Sequence, residues 1–199
     1  MTKFHPVWPL KSFSKFEISA EYQGERIYLS PPHLSHFHQW LNVRRDNEKH
    51  LRPFEPEWAK NHLSLNFYKR RLERQKIESV AERGAFFLIM DKNNHHVLGG
   101  INLNNIQYGA AHSASLGYWL AKEHQGQGYM NEAVRLIIDY AFNNLSLRRL
   151  NAACLPHNQR SINLLLKAGF MEEGYAKKYL QINGIWQDHK LYGLVNNSL

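Results

Sequence analysis

Gly126 and Gly128 stand in the run His124-Gln125-Gly126-Gln127-Gly128-Tyr129-Met130-Asn131, between a strand-like segment and a helix-like one. At such a junction glycine lets the main chain come close to a ligand, and the first free N–H groups of the helix can hold phosphate oxygens. The chemistry offered is phosphate binding by backbone. A second segment, Asn158-Gln159-Arg160-Ser161 through Gly169-Phe170, places an amide and a hydroxyl at the start of another helix. Asn158 suits its N-cap, Ile162, Leu165 and Leu166 its core face, and Gly169 its C-terminal stop. A third segment sets Glu55 between Pro53 and Pro56 in a loop shaped by the two prolines.

The usual nucleotide fingerprints do not fit these residues. A dinucleotide site needs a third glycine, but position 131 is Asn, and no acid lies in 145–150, where a ribose partner belongs. A P-loop needs Gly-Lys followed by Ser or Thr, and Gly128 is followed by Tyr129. Histidines are plentiful, yet His33, His36 and His38 lack the i, i+4 spacing of helical metal ligands, and His95 and His96 are adjacent. They are read as ordinary surface or helix residues, with no metal site. Trp40, Trp58 and Trp186 are read as core, with Trp58 beside Glu55 bordering a substrate cleft.

These groups need elements to hold them. Residues 26–30 read as a first strand, stopped by Pro31-Pro32. A helix is expected over 33–47 and a long one over 57–82. After Gly84 come short strands at 85–90, 97–103 and 114–121, the first two joined by a turn at Asp91-Lys92-Asn93-Asn94. A helix over 128–144 places Met130, Ala133, Val134, Ile137, Ile138 and Ala141 on one face. A strand at 149–155, the helix from Asn158, and strands at 175–181 and 184–194 complete the chain, with Asn183-Gly184 as a tight turn. The order β-α-α-β-β-β-α-β-α-β-β is that of a mixed α+β domain.

With 199 residues, 43% hydrophobic and 13% aromatic, the chain is read as one domain over 25–199 behind an arm over 1–24, and not as a disordered or fibrous chain. No apolar run approaches the roughly 18 residues of a membrane span. Cys154 is the only cysteine, which precludes an internal disulfide framework and fits a cytoplasmic setting. The net charge of +8 favours polyanionic partners: nucleic acid, a ribonucleoprotein or a phosphate-bearing cofactor. Part of that charge sits in Lys69-Arg70-Arg71-Leu72-Glu73-Arg74-Gln75-Lys76, either a solvated helix face or a surface for RNA.

Q-x-x-G-x at Gln125–Tyr129 after a strand, followed downstream by N-x-x-S at Asn158–Ser161 and then Gly169-Phe170, resembles the two hallmark segments of the GNAT N-acetyltransferases. The resemblance runs from Arg26 to the end of the chain. In detail it is similar to the RimJ type of ribosomal-protein alanine N-acetyltransferases. The words L-R-P-F-E-P at 51–56, L-G-Y-W-L at 116–120, L-P-H-N-Q-R-S at 155–161 and I-N-G-I-W-Q-D-H at 182–189 carry that likeness. It implies transfer of acetyl from acetyl-CoA to a free N-terminal α-amine, with a ribosomal protein as partner and rRNA contact through the basic surface. Tyr118, Trp119 and Leu120 would line the pantetheine arm along a splayed strand, the Leu120 N–H lying near the thioester carbonyl. The amides of Gln125, Gly126, Gln127, Gly128, Tyr129, Met130 and Asn131 would grip the pyrophosphate, and Asn158 would touch the pantetheine. Three positions depart from the wider family: Met130 replaces a final Gly or Ala, Leu165 a tyrosine acid, and Ala153 a glutamate base. Ser161 is then the candidate to protonate the departing thiolate and Glu55 the candidate base, acting directly or through water.

The loss of the usual acid and base matters less for some amines than for others. An α-amine with a pKa of about 7.7–8.0 is roughly one-tenth neutral at pH 7, whereas a lysine at about 10.4 is neutral about 0.04% of the time. That gap of about 2.4 units corresponds to about 3.3 kcal/mol. The residues present therefore suit an α-amine. Two other readings remain open: an acetyltransferase for a small amine such as a polyamine or antibiotic, and a ribosome- or RNA-binding assembly factor on the same fold.

Overall fold

Residues 85–90 have no polar face, and the fold uses both sides of the strand they form. In the computed structural model, which describes residues 22–197, β3 (Ala85–Asp91) sends Ala85, Phe87 and Ile89 into one core and Leu88 and Met90 into another. That alternation is the period of two expected of a strand. Before β3 come β1 (Tyr22–Gln23), β2 (Ile27–Ser30), α1 (Phe37–Asp46), α2 (Glu48–Leu51) and α3 (Leu65–Val80). After it come β4 (Val97–Gln107), β5 (Ser113–Leu120), α4 (Tyr129–Asp139), β6 (Arg149–Cys154), α5 (Gln159–Lys167), β7 (Met171–Ile182) and β8 (Ile185–Val195).

The strands form one eight-stranded sheet in the order β1-β2-β3-β4-β5-β6-β8-β7. Every neighbouring pair is antiparallel except β5 and β6. The larger core, with Ala133, Val134, Ile137, Ile162 and Leu165, lies under α4 and α5. The smaller one, with Phe37, Trp40 and Tyr68, lies under α1 and α3. This is the α+β arrangement expected, with helices on both faces of a mainly antiparallel sheet.

Several local expectations change. The long helix begins at Leu65, not near Glu57, because Ser64 Oγ accepts from the Phe67 N–H at 3.1 Å and caps it there. The helix expected from His33 opens as a 3-10 turn at Leu34–His36, where His33 and His36 cap each other's segment through their ring nitrogens. The helix expected to run to residue 144 ends as α4 at Asp139 and finishes in one wide π-type turn, Tyr140–Asn144. Trp186 is exposed on the β7–β8 hairpin, whereas Trp40 is 1% exposed in the core. Asn183 and Gly184 both have positive φ, as the tight turn requires. Of the segment expected as an arm, residues 1–21 lie outside the described residues, and Tyr22–Gln23 forms the edge strand β1 against β2.

Candidate active site

β5 and β6 pair only at Ser113↔Arg149, Ala114↔Leu150 and Ser115↔Asn151. Beyond that point β6 continues against β8 while β5 continues against β4, so the two strands part. The Ala121 N–H donates to Leu98 O on β4. Neighbouring N–H groups of a strand point to opposite sides, so Leu120 and Tyr118 present theirs to the open gap. A cleft of about 450 Å³ occupies this gap.

At one end of the cleft lies the glycine turn. Gly126 and Gly128 have φ of +73° and +87°, in the left-handed region that favours glycine, and nothing stands within 4 Å of a Cβ built on Gly126. Gly128 is the N-cap of α4 and supplies no side-chain acceptor, so the first N–H groups of that helix face the cleft without a side-chain cap. Asn131 Nδ2 is buried with no hydrogen-bond partner. An open approach, free helix amides and an unmatched donor fit the diphosphate of a CoA ester. Arg26 braces the turn from behind. Its guanidinium donates to Gln127 O at 2.9 Å, lies 4.6 Å from the Tyr129 ring centroid and pairs with Glu132. Across the mouth, Arg160 Nη1 donates to Gln125 Oε1 at 2.6 Å, and Gln125 Nε2 meets His50 Nε2 at 2.6 Å. With Arg160 fixing the amide oxygen, Gln125 must donate to His50, which is therefore neutral. Burial, Arg160 and Lys122 all push its pKa down.

On the α5 side, Asn158 Oδ1 caps the helix by accepting from the Ser161 N–H at 3.2 Å. Ser161 Oγ lies 2.6 Å from the Tyr118 hydroxyl. Burial drives the Tyr118 phenol well above its ordinary pKa, so it keeps its proton. Cys154, behind Ser161, is likewise pushed up by burial. Leu165 is 1% exposed in the core and faces away from this chemistry.

Trp119, one residue on, points to the opposite face of the sheet. There the Arg44 guanidinium lies 4.9 Å from the Trp119 ring and 4.3 Å from Trp58. Arg44 is 2% exposed and grips both oxygens of Glu55 at 2.6 and 2.5 Å. Trp58 Nε1 adds a third donor to Glu55 at 2.8 Å. His62 Nε2 accepts from Arg44 at 3.1 Å, and burial with Arg44 and Arg71 lowers its pKa to about 3. Arg71 lies behind them, lowered to about 10 by burial first and by Arg44 second. Of the basic stretch, Lys69, Arg70, Arg74 and Lys76 are exposed, but Arg71 turns inward. The Glu55 carbonyl also accepts from the Asn183 N–H at 2.8 Å, tying this loop to the β7–β8 hairpin.

Tyr118, Trp119, Leu120, Gln125, Gly126, Gly128, Tyr129, Met130, Asn131, Asn158, Ser161 and Glu55 all line the one cleft. Gln127 does not; its side chain closes the turn on Glu123 O at 2.7 Å. The sequence reading missed His50, Phe54, Arg160, Arg44 and Arg26. Arg160 lies within the Asn158 segment and Phe54 beside Glu55 in the proline-framed loop, so both had a local hint; His50, Arg44 and Arg26 come from other parts of the chain. Among the described residues no three His, Cys, Asp or Glu side chains cluster to hold a metal ion, and no helix is long and apolar enough to cross a membrane.

A parted strand pair ending in a glycine turn and a helix N-terminus is the framework of an acyltransferase that works with a CoA thioester. The chain belongs to the GNAT family: the description "Acetyltransferase (GNAT) domain" matches residues 26–171. It is 33% identical to "Probable N-acetyltransferase YjcK" of Bacillus subtilis, over 87% of this chain and 96% of that protein. It is 35% identical to the "[Ribosomal protein uS5]-alanine N-acetyltransferase" of Escherichia coli, over 75% of this chain and 77% of that one. The structure of Mycobacterium smegmatis RimJ in complex with CoA-disulfide superposes with a TM-score of 0.81 at 29% identity, covering 87% of this chain and 83% of that one. The protein is thus an acetyltransferase that uses acetyl-CoA, related to ribosomal-protein N-terminal acetyltransferases.

Proposed function

We propose that this enzyme acetylates the N-terminal α-amine, beginning with alanine, of a ribosomal protein by direct transfer. Bound acetyl-CoA supplies an activated acetyl group. The glycine turn and the start of α4 bind the diphosphate, the open edge of β5 orients the pantetheine, and the Leu120 N–H is placed to stabilise developing negative charge on a carbonyl oxygen. Ser161 supplies a hydroxyl donor on the thiol side. The observation that carries the choice of acceptor is the state of Glu55, the only carboxylate among the described residues lining the cleft. Its two oxygens already receive three donors, from Arg44 and Trp58. A site whose one lining carboxylate is already committed favours an amine that is partly neutral on arrival, which an α-amine is and a lysine is not. In this reading Glu55 anchors the acceptor wall, and the proton of the amine leaves to water. The relation to the uS5-alanine enzyme supports alanine as the first residue.

Exposed Lys69, Arg70, Arg74 and Lys76 carry no ion pair among the described residues and supply a surface for rRNA next to the acceptor protein. The test of the main reading is direct. Purified enzyme with acetyl-CoA and a panel of alanine-, serine- and methionine-starting peptides, a lysine peptide blocked at its N-terminus, and spermidine should show thiol release and one added acetyl on the alanine peptide first. Acetylation of spermidine or lysine in preference to every α-amine would overturn it.

A further inference from the structure

Ser161 has one hydroxyl proton to give, and its neighbours decide where it points. A serine hydroxyl carries one donor and two acceptor positions and rotates to suit its neighbours. In the first turn of a helix it can turn back onto the main chain. Here the Ser161 N–H is already taken by Asn158 Oδ1, and the Oγ lies 2.6 Å from the Tyr118 hydroxyl on the facing strand. Tyr118 Oη has Ser161 as its hydrogen-bond partner, and the buried phenol retains its proton. In the arrangement that uses the phenol proton, the phenol donates and Ser161 accepts. The Ser161 proton then has two directions open to it, the Cys154 thiol behind and the cleft in front.

We propose that Tyr118 is a positioning residue of the transfer reaction: its phenol O–H donates to Ser161 Oγ and aims the Ser161 proton at the sulfur of the departing thiolate. The inference rests on the assignment of Ser161 to the thiol side of the cleft. As the amine nitrogen bonds to the acetyl carbon, the carbon–sulfur bond breaks and its electron pair stays on sulfur. The amine proton goes to solvent, and the thiolate later takes one from solvent. Ser161 and Tyr118 keep their own protons throughout, because an alcohol and a buried phenol are both weaker acids than a thiol. What they supply is a hydrogen bond to sulfur, strengthened because each donor in a chain polarises the next. This role replaces the tyrosine acid that Leu165, lodged in the core, does not supply. The family resemblance implies only that Tyr118 lines the pantetheine; its hydroxyl is the new element.

The test has two readouts. The first is the thiol titration of enzyme-bound CoA, followed by thiolate ultraviolet absorbance in wild type, Tyr118→Phe, Ser161→Ala and the double variant. Wild type should titrate about one pH unit below free CoA. Ser161→Ala should return the value to that of free CoA, Tyr118→Phe should recover at least half of the shift, and the double variant should match Ser161→Ala. The second is steady-state transfer. Tyr118→Phe should lower kcat about tenfold with KM for acetyl-CoA within about twofold, and cause no further loss in the Ser161→Ala background. A bound thiol that titrates alike in wild type and Tyr118→Phe overturns the proposal, as does a full additional loss of kcat in the double variant. If wild type transfers acetyl to no α-amine, the acceptor assignment falls, and the thiol titration still decides the role of Tyr118.

Discussion

Tyr118 and Trp119 are consecutive on β5, yet they face regions built in different ways. On the Tyr118 side the polar groups at the cleft include backbone amides, an N-cap amide and two hydroxyls, set over the apolar core of α4 and α5. Little charge is buried there. On the Trp119 side, Arg44, Glu55 and His62 are packed among Trp40, Trp58 and Trp119, with Arg71 behind them. The difference teaches what each half depends on. The proposed cofactor half can lose a contact and stay folded, because its hydroxyls and helix cap are matched within the half and its turn amides are open to the cleft. In the acceptor half each ion depends on the others, since a buried charge that loses its partner costs far more than the pair contributes.

The largest effect should follow from breaking the acceptor half. Glu55→Ala leaves Arg44 buried beside Arg71 without its carboxylate, a loss of about 3–5 kcal/mol. At about 2–4 °C per kcal/mol for a chain of this size, the melting temperature should fall by about 10 °C, and replacing Arg44 and Glu55 together with leucine should recover most of it. A melt unchanged in Glu55→Ala would erase the contrast between the halves.

Next comes pH. His62 is neutral in the folded protein with a pKa of about 3, against an ordinary value of 6.5. As pH falls below 6.5 the unfolded chain takes up the proton and the folded one does not, so stability present above 6.5 is lost toward pH 3. Urea unfolding should show wild type losing about 2 kcal/mol more than His62→Gln between about pH 7 and pH 5.

The cofactor half should respond in binding. Gly126→Ala puts a Cβ into the open approach at φ +73°, costing about 1 kcal/mol of fold stability and weakening CoA about tenfold or more by calorimetry. If CoA affinity is unchanged, the turn is not the diphosphate site. Asn158→Ala should be the mildest, about 1 kcal/mol from the lost cap, with a severalfold weaker CoA complex as the added mark of a ligand contact.

Legibility followed the same division. The glycine turn and the capped helix at Asn158 are short motifs whose function lies in their own backbone, so residue types and spacing disclosed them. The parting of β5 from β6 came with the family resemblance and is visible in the register, which stops at Ser115↔Asn151. By contrast, the start of α3 depended on the Ser64 cap and on the packing of Trp58 and His62 against Arg44, which no periodicity in 57–64 signals. Arg71 looks like one more cation of a solvated face in the chain; only the position of α3 over Trp40 turns it inward. Glu55 was visible as a carboxylate framed by prolines, but its commitment to Arg44 and Trp58 was not.

Local structure was thus written in the chain itself: the glycine turn, the capped helix at Asn158 and the α+β order of elements. Each depends on residues a few positions apart, where backbone geometry and capping act directly. Tertiary structure alone decided which side chains meet across the cleft. The Tyr118–Ser161 pair spans 43 residues and the Arg44–His62 contact 18. Such meetings depend on how helices settle on the two faces of one sheet, which is set by packing of the whole core and not by any local run of residues.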